Sequence, residues 1–298
     1  MSSKQILIVS GTHGNEINPI WAVDKFIKTN NSNLEGNNLN FVKGNPSAIS
    51  KGLRYVDIDL NRSFSKKVKD PKENLYEFKR AKFLIEKYGI NGLMPCNIAI
   101  DLHTTTSSMG TSIVMYGRRE ADFCLASILQ NKFGLPIYLH EKDLNQTGFL
   151  VEAWPCGLVI EIGPVAQNYY DPKIVENFLI ILEFLQKTEF NVENIRFNSS
   201  SEITFFVHQK SIDYPRDENE NINAIIHPMR VNQDWKILQK GDPLFLDIEG
   251  RTIKYNESRK VYPVFIGEAA YQEKNIAMSF TKKETMNIPK SWFNSFLL

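Results

Sequence analysis

The stretch SGTHGNEINP places His13 and Glu16 three positions apart, between two glycines and a proline, directly after the apolar run QILIV. A histidine and a carboxylate so spaced are either two metal ligands or a turn residue followed by an acid that favours the positive end of the next helix. A second stretch, AIDLHTTT, puts His103 at the polar end of an apolar run with Asp101 two residues earlier, on one face if the run is a strand. Two imidazoles and one carboxylate make a three-ligand zinc set with a fourth position open to water, as a catalytic rather than a structural zinc requires. Two nitrogen donors also favour zinc, or a related transition ion, over a hard cation such as Mg²⁺. Asp101 is then either the partner that orients an imidazole through its other N–H or a solvated acid at a strand end. His140, His208 and His227 follow or flank apolar runs and are assigned to no metal.

Water activated at such a site needs a group to take its proton and pass it to a leaving amine. Glu161 interrupts the apolar run GLVIEIGP, where an unpaired carboxylate is costly, so it is either that catalytic group or a structural acid paired to an arginine. In GLRYVDIDLNRSF, Arg54 and Arg62 flank Asp57 and Asp59, and Asn61 directly precedes Arg62. One arginine could clamp a substrate carboxylate while the other polarises a carbonyl or steadies its oxyanion; the alternative is an internal Arg–Asp loop, a purpose that suits Asp57 and Asp59. Tyr271, in GEAAYQEKN, is a packing residue with a polar tip unless the fold brings it to the site.

These residues need strands to carry them. To about residue 190 the sequence alternates short apolar runs with helical patterns: QILIVS, PIWAVDKFIKTN with Asn18 as cap and Pro19 as first helical residue, LNFVKGNP, a helix over 73–89, then NIAIDLHTTT. TSIVMYG, READFCLASILQNKFG, LPIYLH and GLVIEIGP continue the alternation, and Asp171-Pro172 opens a last helix to about Gln186. The expected fold class is α/β, a mostly parallel or mixed sheet covered by helices, whose strand ends gather the ligand-binding groups. After about residue 197 come short extended runs broken by Gly, Pro, Asn and Asp, such as ITFFVHQ, NAIIHP, PLFLDIEG, RTIKY and VYPVFIG. Two packed domains are expected, residues 1–197 and a smaller β-rich 198–298.

Composition excludes several classes. Lysine plus arginine number 35 against 34 acids with no polybasic block, so neither nucleic acid nor an anionic membrane is an expected partner. The first apolar run is too short for a signal peptide, and IVENFLIILEFL carries two glutamates and falls short of the ~20 residues of a membrane span. Three cysteines without a C-x-x-C pair fit a reducing cytoplasm.

The stretches GTHGNE, RYVDIDLNRSF, DLHTTTSSMG, VIEIGP and VYPVFIGEAAYQEKN, in this order from residue 11 to residue 275, resemble the aspartoacylase group of the aspartoacylase and succinylglutamate desuccinylase family, relatives of the zinc carboxypeptidases. The resemblance implies one Zn²⁺ per chain on His13, Glu16 and His103, with Glu161 as general base and then general acid. It further implies that Arg54 steadies the scissile carbonyl oxygen, that Asn61 and Arg62 bind a substrate carboxylate, and that Tyr271 adds a hydrogen bond from the second domain. Fold and partners follow: a carboxypeptidase-like domain, a β-rich domain that restricts access, and a homo-oligomeric state whose interface the sequence does not mark. One departure bears on the substrate. Mammalian aspartoacylases carry an arginine shortly before the catalytic glutamate that helps to hold the aspartate side chain, and NQTGFLVEAW has none, leaving Lys142, Arg118 or Arg119 to supply the charge. A smaller one is Thr104, an asparagine in mammalian members, which alters only the polar lining. The expected activity is zinc-dependent hydrolysis of an N-acyl-L-aspartate. The rivals are the same chemistry on another N-acyl amino acid or an ester, a noncatalytic metal- and anion-binding protein, and a peptidase.

Overall fold

Alternating apolar residues build one large sheet. Its first strands are β1 (Ile6–Ser10), β2 (Leu39–Lys43), β3 (Ile98–Thr104), β4 (Gly110–Tyr116), β5 (Ile137–His140) and β6 (Cys156–Gly163). Around them lie helices α1 (Ile17–Asn30), α2 (Pro46–Lys51), α3 (Tyr76–Tyr88), α4 (Glu120–Phe133) and α5 (Pro172–Lys187). The computed structural model describes residues 4–30, 38–64, 74–141, 146–188 and 202–297; the expected boundary at 197/198, Lys142 and the lysine-dense loop after Phe64 lie outside them. Beyond it follow β7 (Glu202–Ile212), β8 (Ala224–Ile226), β9 (Pro243–Asp247), β10 (Thr252–Lys254), β11 (Tyr262–Val264), β12 (Met278–Asn287) and a helix over Lys290–Leu297.

The nine strands of the large sheet run in the order β11-β12-β7-β5-β4-β6-β3-β1-β2, and β10-β9-β8 form a small second sheet. Strands β2, β1, β3 and β6 pair in parallel, whereas β4 is antiparallel to β6, so β4, β5 and β7 run the opposite way. Only the first group brings its carboxyl ends to one edge, the edge from which the loops after β1 and β3 leave. Ile6, Ile8, Ile100 and Ile160 on one face pack against Phe26 of α1, Phe123 of α4 and Phe178 of α5. Leu7, Val9, Ala99 and Val159 on the other face meet Leu84 of α3 and Phe265 from the later part of the chain. The site is built on this second face.

β7 and β12 join the two parts. They pair from Glu202–Asn287 to Ile212–Met278 with an irregularity at Phe280/Thr281. On one side of it Ile203, Phe205 and Val207 belong to the main core, and on the other Met278 and Phe280 pack with Ala224, Leu244 and Phe245 in a smaller core. Two helix starts contrast. Asp171 caps α5 as its position before Pro172 predicts, accepting from Lys173 N at 2.8 Å. Asn18 does not cap α1, which already begins at Ile17; its amide instead donates to Tyr169 O and accepts from Asp171 N, both at 2.8 Å, tying α1 to the start of α5. The three cysteines are buried and free. Among the described residues no helix is long and apolar enough to cross a membrane.

Candidate metal and active site

The loop after β1 owes its path to two glycines. Gly11 takes a positive φ of 68°, and Gly14 lies so close to α2 that a Cβ would stand 2.2 Å from the carbonyl carbon of Ala48. Pressed against α2, the loop turns His13 and Glu16 back over the sheet. His13 Nδ1 lies 2.6 Å from Glu16 Oε1, and His103 Nδ1 lies 3.0 Å from Glu16 Oε2. The other ring nitrogens are held from behind: His13 Nε2 by Asp59 at 3.0 Å and His103 Nε2 by Asp101 at 2.7 Å. Asp101 also accepts from Thr12 Oγ1 at 2.7 Å. The three ligand atoms lie within 4.8 Å of one another and all three residues are buried.

This donor set fits a cation. An Nε2–H given to a carboxylate leaves the Nδ1 lone pair facing the neighbouring ligands, the arrangement that outer carboxylates impose on metal-binding histidines. Electrostatics agrees. Burial disfavours the charged form of Glu16, but the two imidazoles outweigh it and hold the carboxyl well below its ordinary value. Burial also opposes charge on His103, yet Asp101 and Glu16 raise its pKa well above the usual imidazole range. The cluster is thus a well of negative potential that a proton or a cation can fill.

Glu161 pairs in register with His103 across β3 and β6, and with Ser112 across β6 and β4, so the three share one face. Burial pushes its carboxyl well above the ordinary value; Glu16 and Glu268 add to this, and His103 and Arg54 only partly offset it. The arginine loop is positioned by Glu77 of α3, whose carboxylate accepts from the backbone N–H of Val56, Asp57 and Ile58 at 2.7, 3.1 and 3.2 Å. Arg54 then reaches Asp59 at 3.3 Å and Glu16 at 3.5 Å. Asn61 accepts from Leu150 N at 2.8 Å, which leaves its NH₂ to offer a ligand. Arg62 donates to Asn61 O and to Gln146 Oε1, and its guanidinium lies 4.0 Å from the centroid of the Phe149 ring. His13, Glu16, Arg54, Asn61, Arg62, His103, Glu161 and Tyr271, all eight residues singled out from the sequence, line one pocket.

With the fold and pocket described, comparison with known proteins places them. The succinylglutamate desuccinylase/aspartoacylase catalytic domain matches residues 2–187, and the AstE/AspA barrel-sandwich hybrid domain matches residues 201–283. The chain belongs to this family of amide hydrolases. Two relatives from Prochlorococcus marinus, each described as a probable aspartoacylase, are 62% identical over 97% of both chains (strain MIT 9515) and 60% identical over 99% of both chains (subspecies pastoris, strain CCMP1986 / NIES-2087 / MED4). The crystal structure of murine aminoacylase 3 superposes with a TM-score of 0.82 at 26% identity, covering 97% of this chain and 98% of that one.

Within this family member, several residues that the sequence reading did not single out serve the site. Asp59, expected only as an arginine's partner, also holds His13; Asp57 does stay structural, accepting from Tyr76 N at 2.8 Å at the start of α3. Glu268, buried at the pocket's edge, accepts from Thr105 Oγ1, from Thr106 N at 2.8 Å and from Thr106 Oγ1 at 3.0 Å, while its other oxygen accepts from Ala270 N at 3.0 Å. It therefore locks the turn Ala269–Lys274, which carries Tyr271, onto the loop that follows His103. Of the cations expected to replace the missing arginine, Arg118 pairs with Glu141 and Glu284, and Arg119 with Asp122 and the carbonyls of Val151 and Trp154. His140 lies away from the cluster, because β5 runs opposite to β6; it packs with Tyr116, Tyr138, Phe149 and His208.

Proposed function

We propose that the chain is a zinc-dependent amidohydrolase that cleaves an N-acyl amino acid, in the first instance N-acyl-L-aspartate, to a carboxylate and the free amino acid. The observation that carries this reading is the single pocket shared by the His13–Glu16–His103 cluster, the raised carboxyl of Glu161 and the donors Arg54, Asn61, Arg62 and Tyr271. The relatives' description as probable aspartoacylases supplies the aspartate. His13, Glu16 and His103 would hold the zinc, and when bound it would supply a Lewis acid able to lower the pKa of water to about 7.

The chain's own groups do the rest. Glu161 accepts a proton from the attacking water as the new C–O bond forms, then returns it to the departing nitrogen as the C–N bond breaks. A carboxyl raised by burial can both take and give a proton near neutral pH. Arg54 donates to the scissile carbonyl oxygen as it gains charge, and its own charge is secure, because Asp59, Glu16 and Glu268 outweigh the effect of burial and raise its pKa. The NH₂ of Asn61 and the guanidinium of Arg62 hold a substrate carboxylate, with the phenol of Tyr271 as a further donor.

The experiment is hydrolysis of N-acetyl-L-aspartate by purified protein, metal-free and after one equivalent of zinc, beside N-acetylated tyrosine, glutamate and methionine. Zinc-dependent release that favours aspartate supports the reading; zinc binding without turnover on any of them overturns it. One observation favours a second reading, a neutral N-acyl amino acid: Leu150 and Val151, in the stretch where an arginine would stand, are fully buried in the core. A higher kcat/KM on N-acetyl-tyrosine or N-acetyl-methionine would select it.

A further inference from the structure

Arg62 lines both this pocket and a neighbouring chamber of about 780 Å³, whose walls also carry Asp59, Glu141, Gln146, His208, Lys210 and Lys274. Lys274 ends the turn that carries Tyr271, with its Nζ 5.8 Å from the centroid of the Tyr271 ring. That ammonium is buried and has no hydrogen-bond partner among the described residues. An ammonium shielded from water without a counter-charge is costly, and it stays only where something else supplies the charge. Among the described residues its surroundings supply it only in part. Burial, together with Arg62 and Arg54, lowers its pKa to about 8, and Asp59 and Glu273 only partly offset them. Asp59 is already shared between His13 and Arg54, and Glu273 accepts from Tyr55 at 2.9 Å. The other lysine of the chamber, Lys210, is paired with Glu257.

We propose that Lys274 recognises a second carboxylate of the substrate, which makes this a site for acidic, dicarboxylic amino acids; the inference rests on the N-acyl amino acid reading above. One carboxylate engages Asn61 and Arg62, and the side-chain carboxylate bonds the Lys274 ammonium beside them. The charge absent from the stretch before Glu161 is thereby supplied from the later part of the chain, by the turn that Glu268 locks in place. Lys274 is a specificity residue, remote from the reacting bond, and it acts on substrate binding rather than on the chemical step.

The test uses zinc-loaded wild type, Lys274→Met and Lys274→Arg on N-acetyl-L-aspartate and on its uncharged isostere N-acetyl-L-asparagine. Calorimetric binding of L-aspartate and L-asparagine gives a readout that needs no turnover. Lys274→Met is expected to raise KM for acetyl-aspartate roughly 10- to 100-fold, the range of a hydrogen bond to a charged group, with kcat and the acetyl-asparagine reaction unchanged and with most of the loss restored in Lys274→Arg. Binding of L-aspartate should weaken by a like factor and that of L-asparagine should not. In wild type, kcat/KM on acetyl-aspartate relative to acetyl-asparagine should fall above pH about 8, as Lys274 loses its proton, and should be flat in the methionine variant. Should Lys274→Met fold poorly, Lys274→Gln replaces it. Equal losses on both substrates would assign the lysine to general attraction of anions and overturn the proposal, as would no change at all. If wild type hydrolyses neither substrate but binds L-aspartate in a Lys274-dependent way, the hydrolase reading fails and the recognition stands. If it hydrolyses them and binds L-aspartate no better than L-asparagine, the recognition fails alone.

Discussion

The two sides of the pocket are built differently. The metal side is carried by a strand end and a glycine-shaped loop, and each ring nitrogen of His13 and His103 already has a carboxylate partner. The anion-facing side is carried by two short turns, Leu60–Arg62 and Ala269–Lys274, and by Arg54 before them; among the described residues, Arg54 Nε and Lys274 Nζ are buried without a hydrogen-bond partner. A set of ligands held from behind keeps its geometry whether or not a cation is present, because each imidazole is fixed through its far nitrogen. Cationic N–H groups left without an acceptor do the opposite: they make the empty site costly and the filled one favourable, so the ligand completes the structure. On the proposed function, the first side fixes the chemistry and the second selects what undergoes it.

The largest effect expected on this contrast comes from Glu161. Glu161→Gln keeps the shape and the metal ligands but cannot carry a proton, so zinc content should be normal while turnover falls at least ~10²-fold. Metal analysis beside steady-state kinetics separates the two, and near-normal turnover would sink the assignment. Next comes the support behind the ligands. Asp101→Asn should leave the fold intact and weaken zinc binding roughly 10- to 100-fold, measured by competition with a chromophoric chelator, because it loosens the hold on His103. An unchanged affinity would mean that the metal side needs no outer carboxylate, and the contrast would lose its basis. Glu268→Ala attacks the joint between the sides. It leaves Thr105 and Thr106 without their acceptor and frees the Tyr271 turn, at a cost of about 2 kcal/mol in urea unfolding together with a raised KM.

What could be read from the sequence follows the same division. His13 and Glu16 are legible as a histidine and an acid spaced three apart in the loop leaving a strand, His103 from its place at a strand's polar end, and Glu161 because an acid in an apolar run has few structural excuses. The i, i+2 spacing of Asp101 leaves an orienting partner and a solvated strand-end acid equally open, and its contact with His103 at 2.7 Å favours the first. Asp59, Glu268 and Lys274 are not legible, since their roles depend on contacts between segments far apart in the chain; Glu268 meets Thr105 across 163 positions. In the fold, β12 escapes a reading by hydrophobic alternation because its last seven residues, TKKETMN, are polar but for Met286, and it is fixed by pairing along β7. Asn18 misleads for a related reason: a residue with the chemistry of a cap is recruited by a loop some 150 positions away.

The smallest effect sharpens the comparison furthest, because it tests two residues of one turn against each other. Burial raises the Tyr271 phenol above its usual range, Glu161 and Glu268 add to this, and Arg62 and Arg54 only partly offset it, so the hydroxyl stays a donor throughout the working pH range. Tyr271→Phe should therefore raise KM by roughly 3- to 10-fold, the worth of about one hydrogen bond, by the same factor on N-acetyl-aspartate and N-acetyl-asparagine and at every pH from 6 to 9. The loss at Lys274 should instead be confined to the aspartate substrate and shrink above pH about 8, where wild type itself loses that charge. If the two variants gave the same substrate and pH pattern, the turn would act as a single structural unit, and the division between a donor for any substrate and a cation for the acidic one would not hold.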